Sequence, residues 1–371
     1  MREPPATIGM PVVDVDTPAL LLDLDAFERN VARAAEAVRR AGARLRPHAK
    51  SHKSADIALR QVMAGAVGVC CQKVSEAEAL VAGGVRDVLI SNEIVGAGKL
   101  DRLARLAHEA RISTCVDALP QVEALEQAAT RAGVRLDTLV EVNVGGNRCG
   151  AEPGAATQAL ARRVADSPQL RFVGLQAYHG SAQHTRAVAE RREKIARAAE
   201  WIRATRAGIV ADGIPCDLVT GAGTGTFPLE LASGAWDEVQ PGSYIFMDAD
   251  YGRDEFDDHW PPFEHSLFVW TTVMSRVEGA RAVVDAGLKA SAFDSGMPLV
   301  WQQHGLEYVN VSDEHGVLRV APGARTPALG EKLLLVPGHC DPTVNLHDWF
   351  VGVRHGVVEA LWPVSARGAI R

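Results

Sequence analysis

The chain has 371 residues and 47% hydrophobic content, more than one small domain needs and enough for a large barrel with a second domain beside it. Its net charge of −7, with acids and bases interspersed, leaves no basic footprint for nucleic acid. No apolar run reaches the length of a membrane span, and MREPPATIGMPVVD has no secretory apolar core, so the sequence reads as cytoplasmic and free of membrane.

In chain order, TPALLLDLDAFERNVARAAEAV predicts a strand and an amphipathic helix ahead of a longer alternation. Eight strand-like runs then follow: ARLRPHA, GVCCQ, DVLISN, ISTCVD, LDTLVEVNV, FVGLQAYHG, CDLVTGAG and EVQPGSYIF. Helix-like stretches such as DIALRQVMAGA, AGKLDRLARLAHEA and AVAERREKIARAAEWIRATRAGIV separate most of them. Eight βα units predict an α/β fold, a closed (β/α)8 TIM-type barrel over residues 21–260. Beyond it the helical period disappears. SLFVWTTVMSRVE, YVNVSDEHGVLRV, KLLLVPGHC and WFVGVRHG predict a C-terminal, mostly antiparallel β domain over 261–371, on which residues 1–20 are placed. Six cysteines without a CxxC pair lie mostly in apolar runs, which suits buried thiols in a reducing compartment.

In such a barrel the chemistry gathers at the C-terminal ends of the strands. Those ends hold His48 and Lys50, Gln72, Ser91 and Asn92, Asp117, Asn143 with Arg148, Tyr178 and His179, Gly221 to Thr224, and Ser243 with Tyr244. The turn TGAGTGT lets backbone N–H groups approach an anion closely, and it follows the seventh strand, where such barrels hold phosphate. It lacks the lysine of a nucleotide P-loop. Phosphate there and a lysine on strand one point to pyridoxal 5'-phosphate in a Schiff base with a lysine. Strand alternation puts His48 and Lys50 on one face, so Lys50 is chosen and Lys53 is left as an exposed or supporting charge.

A second constellation is PGHCDPTVNLHDW. Read as a strand, it aims His339 and Asp341 one way and Cys340 the other. Imidazole and carboxylate suit a divalent ion such as Mn²⁺ or Mg²⁺. His347 and Asp348 are nearby alternatives, and Asp313 in NVSDEHG is available to either constellation and is assigned a catalytic role.

The combination of RPHAKSHKS, GVCCQKVSEAEAL, EVNVGGNRCG, GLQAYHGSAQH, GAGTGT, GSYIFMDADYG and GHCDPTVNLHD, in this order, resembles the D-threonine aldolase and D-serine dehydratase group of fold-type III enzymes, related in architecture to alanine racemase. The resemblance implies a pyridoxal phosphate barrel, a metal beside the cofactor, a homodimer and a D-3-hydroxy amino acid substrate. It makes Lys50 the Schiff-base lysine. It places Gln72, Arg148 and Tyr178 along the cofactor, and Gly223, Thr224, Ser243 and Tyr244 at the phosphate. His339 and Asp341 become the metal ligands.

His339-x-Asp341 looks like the aldolase branch, including the 3-hydroxy-D-aspartate aldolases, whereas the dehydratase branch shows His-x-Cys with zinc. The expected reaction is metal-assisted retro-aldol cleavage to glycine and an aldehyde, with His179 or a metal-bound hydroxide as base. A D-serine-type or D-3-hydroxyaspartate dehydratase, a racemase and a non-catalytic pyridoxal phosphate-binding protein are the rival readings. An acidic substrate needs a cation at its distal carboxylate, for which Arg148, His179, His184 and His315 are available.

Overall fold

The computed structural model describes residues 3–257 and 260–371. Eight parallel strands form the first sheet: β2 (Arg44–Leu45), β3 (Val69–Cys71), β4 (Asp87–Glu93), β5 (Arg111–Val116), β6 (Leu136–Glu141), β7 (Leu170–Ala177), β8 (Val219–Gly221) and β9 (Glu238–Val239). Their order is β2-β9-β8-β7-β6-β5-β4-β3. A parallel bridge between His48 and Cys70, with Cys70 N–H on Pro47 O at 2.9 Å and Ala49 N–H on Cys70 O at 2.7 Å, joins the two ends.

Strands covered on both faces need apolar residues at nearly every position, and β3 and β6 are buried throughout. Inside the ring Cys70, Leu89, Cys115 and Leu139 pack as one small layer from neighbouring strands. Arg46 shares this interior with Glu238 (2.8 Å) and Asp87 (2.6 Å), a buried charge that is tolerable because it is paired on both sides. Gly221 shows why β8 needs a glycine: a Cβ there would lie 1.9 Å from the Ala177 carbonyl oxygen of β7.

The helices α1 (Leu24–Arg40), α2 (Ala55–Met63), α3 (Val74–Ala82), α4 (Ala97–Leu106), α5 (Leu119–Ala132), α6 (Ala155–Ala165), α7 (Val188–Ala211) and α8 (Phe227–Ser233) alternate with these strands. In α1 the Asp23 carboxylate caps the Ala26 N–H at 3.0 Å, and Phe27, Asn30, Val31, Ala34 and Val38 form the buried stripe at helical spacing. Among the described residues no helix is long and apolar enough to cross a membrane.

The second sheet is mostly antiparallel, in the order β13-β14-β11-β10-β1-β16-β17, with β15 pairing β10 and β12. Its strands are β1 (Ala19–Asp23), β10 (Leu267–Val277), β11 (Arg281–Val284), β12 (Leu299–Val300), β13 (Leu306–Val311), β14 (Gly316–Val320), β15 (Lys332–Val336), β16 (Trp349–Arg354) and β17 (Val357–Pro363). β1 pairs antiparallel with β10 and parallel with β16, so it belongs to this sheet. The boundary expected at residue 21 therefore falls inside β1, because Leu20 and Leu22 find their burial between β10 and β16.

One short helix, α9 (Cys340–Val344), interrupts the β pattern and is seated over the barrel mouth. Ala249 and Asp250 donate their N–H groups to Pro337 O (2.9 Å) and Gly338 O (3.2 Å), and Asp248 Oδ2 accepts the Cys340 N–H at 2.9 Å. The segment that leaves the eighth barrel strand thus holds the first turn of α9 from below.

Candidate active site

A pocket of about 600 Å³ opens where α9 faces the strand ends of the barrel. It is lined on the barrel side by His48, Lys50, Gln72, Arg148, Tyr178, Gly223, Thr224 and Ser243, and on the β-domain side by His339 and Asp341. The structure therefore brings together most of the residues singled out in the sequence.

Lys50 does not lie on a strand. The chain leaves β2, makes the bridge at His48 and turns, with the Lys53 N–H on Ala49 O at 2.7 Å and Ser51 Oγ donating to His48 O at 2.9 Å. Gly242 packs against this turn, where a Cβ would come 2.7 Å from Ser51 Oγ. The Lys50 N–H donates to His48 Nδ1 at 3.3 Å, while His48 Nε2 meets the Gln72 amide at 2.8 Å and Ser91 Oγ at 3.3 Å. Burial, assisted by the neighbouring Lys50 charge, pushes the His48 imidazole far below its ordinary range and keeps it neutral.

Lys50 Nζ forms an ion pair with Asp341 Oδ2. Ser243 Oγ (3.2 Å) and Cys340 Sγ (3.3 Å) donate to the other carboxylate oxygen. Burial works against both charges, but each partner outweighs it: the Lys50 ammonium is held above its ordinary pKa and the Asp341 carboxyl well below the carboxylate range. Lys53 behaves differently. Its side chain is buried, its Nζ pairs with Glu76 Oε1 at 3.0 Å, and its backbone sits at φ +50°. Of the two expectations for Lys53, exposed or supporting, the exposed one is corrected: the turn at 49–52 sends Lys53 back into the protein, where Glu76 of α3 supplies a counter-charge.

The glycine-rich turn forms a cradle. Thr224 Oγ1 is buried without a hydrogen-bond partner among the described residues, and a Cβ on Gly223 would meet Gln183 Oε1 at 2.5 Å. Gln183 holds the turn from behind, accepting the Gly225 N–H (3.0 Å) and donating to Thr226 Oγ1 (2.7 Å). Thr226 Oγ1 in turn donates to Glu230 Oε1 at 2.8 Å. Burial pushes the Glu230 carboxyl up to about 8. On the opposite wall the Arg148 guanidinium stands over the Tyr178 ring, 5.4 Å from its centre.

Three assigned residues lie elsewhere. Tyr244 is fully buried, its hydroxyl accepting from Gln61 Nε2 at 3.0 Å and its ring packed on Phe263. Only its neighbour Ser243 faces the pocket, since the chain turns sharply there. His179 follows Tyr178 and points the other way, beneath Gly145, where a Cβ would come 2.9 Å from His179 Nε2. Asp313 and His315 sit on the exposed turn between β13 and β14, remote from the pocket lining. His347 Nε2 is engaged by the Ala290 carbonyl at 2.8 Å and is also absent from the lining.

The HxD segment is corrected in conformation. His339 has extended dihedrals (φ −141°, ψ 121°) but caps α9, and Asp341 lies in that helix's first turn. Pro342 carries the reason: the first turn of a helix asks no N–H of a proline. Both side chains still reach the pocket, while Cys340 joins the hydrophobic core.

His184, Asp248, Asp250 and Tyr251 also line the pocket. His184 Nδ1 donates to Asp250 Oδ2 at 2.8 Å, and Asp250 Oδ1 takes Arg186 Nη2 (2.5 Å) and Arg253 Nη2 (2.7 Å). MDADYG held the signal for the acidic pair, as two carboxylates on the segment that leads away from the eighth strand. His339 Nδ1 meets Asp294 Oδ2 at 2.7 Å, a partner without any local sequence cue. Among the described residues no three His, Cys, Asp or Glu side chains converge as a ready metal cage.

Comparison with known proteins follows the same two-part plan. Residues 22–250 match the alanine racemase N-terminal domain and residues 266–353 the putative serine dehydratase domain. The chain is 50% identical to D-threonine aldolase of Arthrobacter sp. over 369 residues, 99% of this chain and 97% of that one. It is 45% identical to 3-hydroxy-D-aspartate aldolase of Paracoccus denitrificans (strain Pd 1222) over 370 residues, 98% and 95% of the two chains. The crystal structure of D-threonine aldolase from Filomicrobium marinum superposes with a TM-score of 0.97 at 52% identity, covering 100% of both chains. Likeness of this extent, spanning barrel, β domain and the turn between them, means that the chain belongs to the D-threonine aldolase and 3-hydroxy-D-aspartate aldolase family of enzymes with an alanine racemase-like fold.

Proposed function

We propose that the protein is an aldehyde-lyase that cleaves D-3-hydroxy amino acids of the D-threonine type to glycine and an aldehyde, using pyridoxal 5'-phosphate and a divalent metal. The observation that carries this reading is the meeting of Lys50 with His339 and Asp341 in one pocket.

The residues fit both groups. The buried, unpartnered Thr224 hydroxyl on the glycine-rich turn suits a phosphate, and Lys50, which lines the same pocket beside Asp341, is the lysine that would hold the aldehyde. An imidazole and a carboxylate suit Mn²⁺ or Mg²⁺, with water or substrate completing the shell. When bound, pyridoxal phosphate supplies the electron sink for Cα–Cβ cleavage and the metal acidifies the β-hydroxyl.

The chain's own groups then divide the work. Lys50 Nζ is the amine that would hold the cofactor's aldehyde, and beside Asp341 it would carry the proton returned at Cα. Of the two histidines, His184 and not His179 lines the pocket. With its Nδ1–H on Asp250, its Nε2 lone pair is free to take the β-hydroxyl proton. Neutral His48, with Gln72 and Ser91, fills the back wall without competing for that proton. Arg148 and Tyr178 orient anionic groups on the opposite side. Ser243 and Cys340 fix the Asp341 carboxylate.

The division into a barrel that ends near residue 260 and a metal-bearing β domain over 261–371 that also takes in β1, and action as a cytoplasmic homodimer, belong to this reading. All six cysteines are free, as suits a reducing compartment. Sizing in solution tests the dimer.

Product identification with D-threonine tests the activity. Glycine plus acetaldehyde is expected; 2-oxobutanoate plus ammonia would mean a dehydratase and overturn the reading. A second reading, cleavage of 3-hydroxy-D-aspartate to glycine and glyoxylate, is favoured by the cations Lys73 and Arg148, which both line the pocket. It holds if that substrate has the higher kcat/KM.

A further inference from the structure

We propose that Asp294 is a positioning residue for His339, fixing the imidazole so that Nε2 is the nitrogen presented to a divalent ion. The inference rests on the reading of His339 and Asp341 as metal donors.

Asp294 Oδ2 lies 2.7 Å from His339 Nδ1. A carboxylate only accepts hydrogen bonds, so Nδ1 carries the proton and the lone pair is on Nε2. A carboxylate behind a ligating imidazole fixes its tautomer and ring orientation and raises its basicity. Asp294 is not a ligand itself: its oxygen is at hydrogen-bond distance from the ring, and no set of three such side chains converges among the described residues.

The loop that presents Asp294 is tied down on both sides. The Ala292 N–H donates to Thr343 Oγ1 at 3.0 Å, and Thr343 Oγ1 donates to His339 O at 2.7 Å. The loop is therefore fastened to the same helical turn that carries the two metal donors. The Phe293 ring packs on Tyr308 at 5.6 Å, and Arg253 Nη2 holds Ser295 O at 2.5 Å. At Gly338 the backbones are so close that a Cβ would lie 2.1 Å from Gly296 O. A carboxylate on an exposed loop would ordinarily wander, whereas these contacts give it one place to be.

The test measures Mn²⁺ affinity of the full-length, cofactor-loaded protein by electron paramagnetic resonance, with cofactor absorbance recorded alongside. Asp294→Ala is expected to bind Mn²⁺ about 10- to 100-fold more weakly with the absorbance unchanged. Asp294→Asn, which keeps an acceptor oxygen, is expected to recover most of that affinity. Parental affinity in the alanine variant would overturn the proposal. So would parallel loss of metal and cofactor, which marks a general structural role, or an asparagine variant as weak as alanine, which marks a direct ligand. His339→Ala is the control for the underlying reading: if it retains parental Mn²⁺ affinity, the metal assignment fails rather than the role of Asp294.

Discussion

The two walls of the pocket are built on opposite plans. The barrel wall draws single residues from the ends of many parallel strands, each fixed by its own ladder, with His48, Gln72 and Ser91 also bonded to one another. The β-domain wall hangs its chemistry on one helical turn of five residues, held from below by Asp248 and from the side by the loop at Asp294. Function on the first wall is distributed and buffered. On the second it is concentrated, and a single substitution there removes a whole role.

The largest effect that sharpens this contrast comes from Lys50, the one barrel residue without a substitute. Lys50→Ala is expected to lower turnover on the order of 10³-fold and to remove the protein-bound cofactor absorbance. Lys53→Ala should keep the absorbance and instead lower stability by about 3 kcal/mol in denaturant titration, because Glu76 loses its buried counter-charge. The reverse pattern would transfer the cofactor to Lys53. On the other wall, Asp341→Ala should reduce metal-dependent cleavage by about 10²- to 10³-fold with cofactor still bound. Full activity in that variant would show that the helical turn is not the metal wall.

A pH-dependent effect probes the cradle between the walls. The Glu230 carboxyl loses its proton near its ordinary 4.5 when unfolded but only at about 8 when buried. Within that window the native state binds more protons, so stability is full below about 4.5 and declines as pH rises towards 8, by about 1.4 kcal/mol per pH unit at most. Glu230→Gln should make the measured slope shallower; an unchanged slope would show that Glu230 is already ionised in the folded protein. The smallest effect is expected at Asp313, on an exposed turn outside both walls. Asp313→Ala should stay within about 0.5 kcal/mol of the parent and keep its activity, and loss of turnover would return it to the site.

What could be read from the sequence follows the same divide. Strand ends are legible because buried parallel strands are apolar runs and the next polar residue faces the mouth, as at Gln72, Ser91 and Tyr178. Alternation then misleads where a strand stops. Lys50 lies in a turn, Tyr244 swings into the core, and His179 faces away while His184 reaches the pocket. The HxD pair was visible as a pair of ligand types, but its helical conformation rested on Pro342 and on Asp248, some 90 residues earlier. Asp294 was beyond local reading altogether, because its partner is set by loops that meet only in the folded chain.

The placement of β1 bears on how the molecule is made. Leu20 and Leu22 emerge early in synthesis, yet their partners Val269, Leu267, Phe350 and Gly352 come some 250 to 330 residues later. Until then an apolar strand waits with both edges open, and loop closure of this span slows pairing while leaving the intermediate prone to aggregation. The barrel is threaded between the first and last strands of one sheet, so cutting the gene near residue 260 would not release two free-standing modules. All eight barrel strands have been made by Val239, whereas the pairing of β1 is complete only once Val353 has been added.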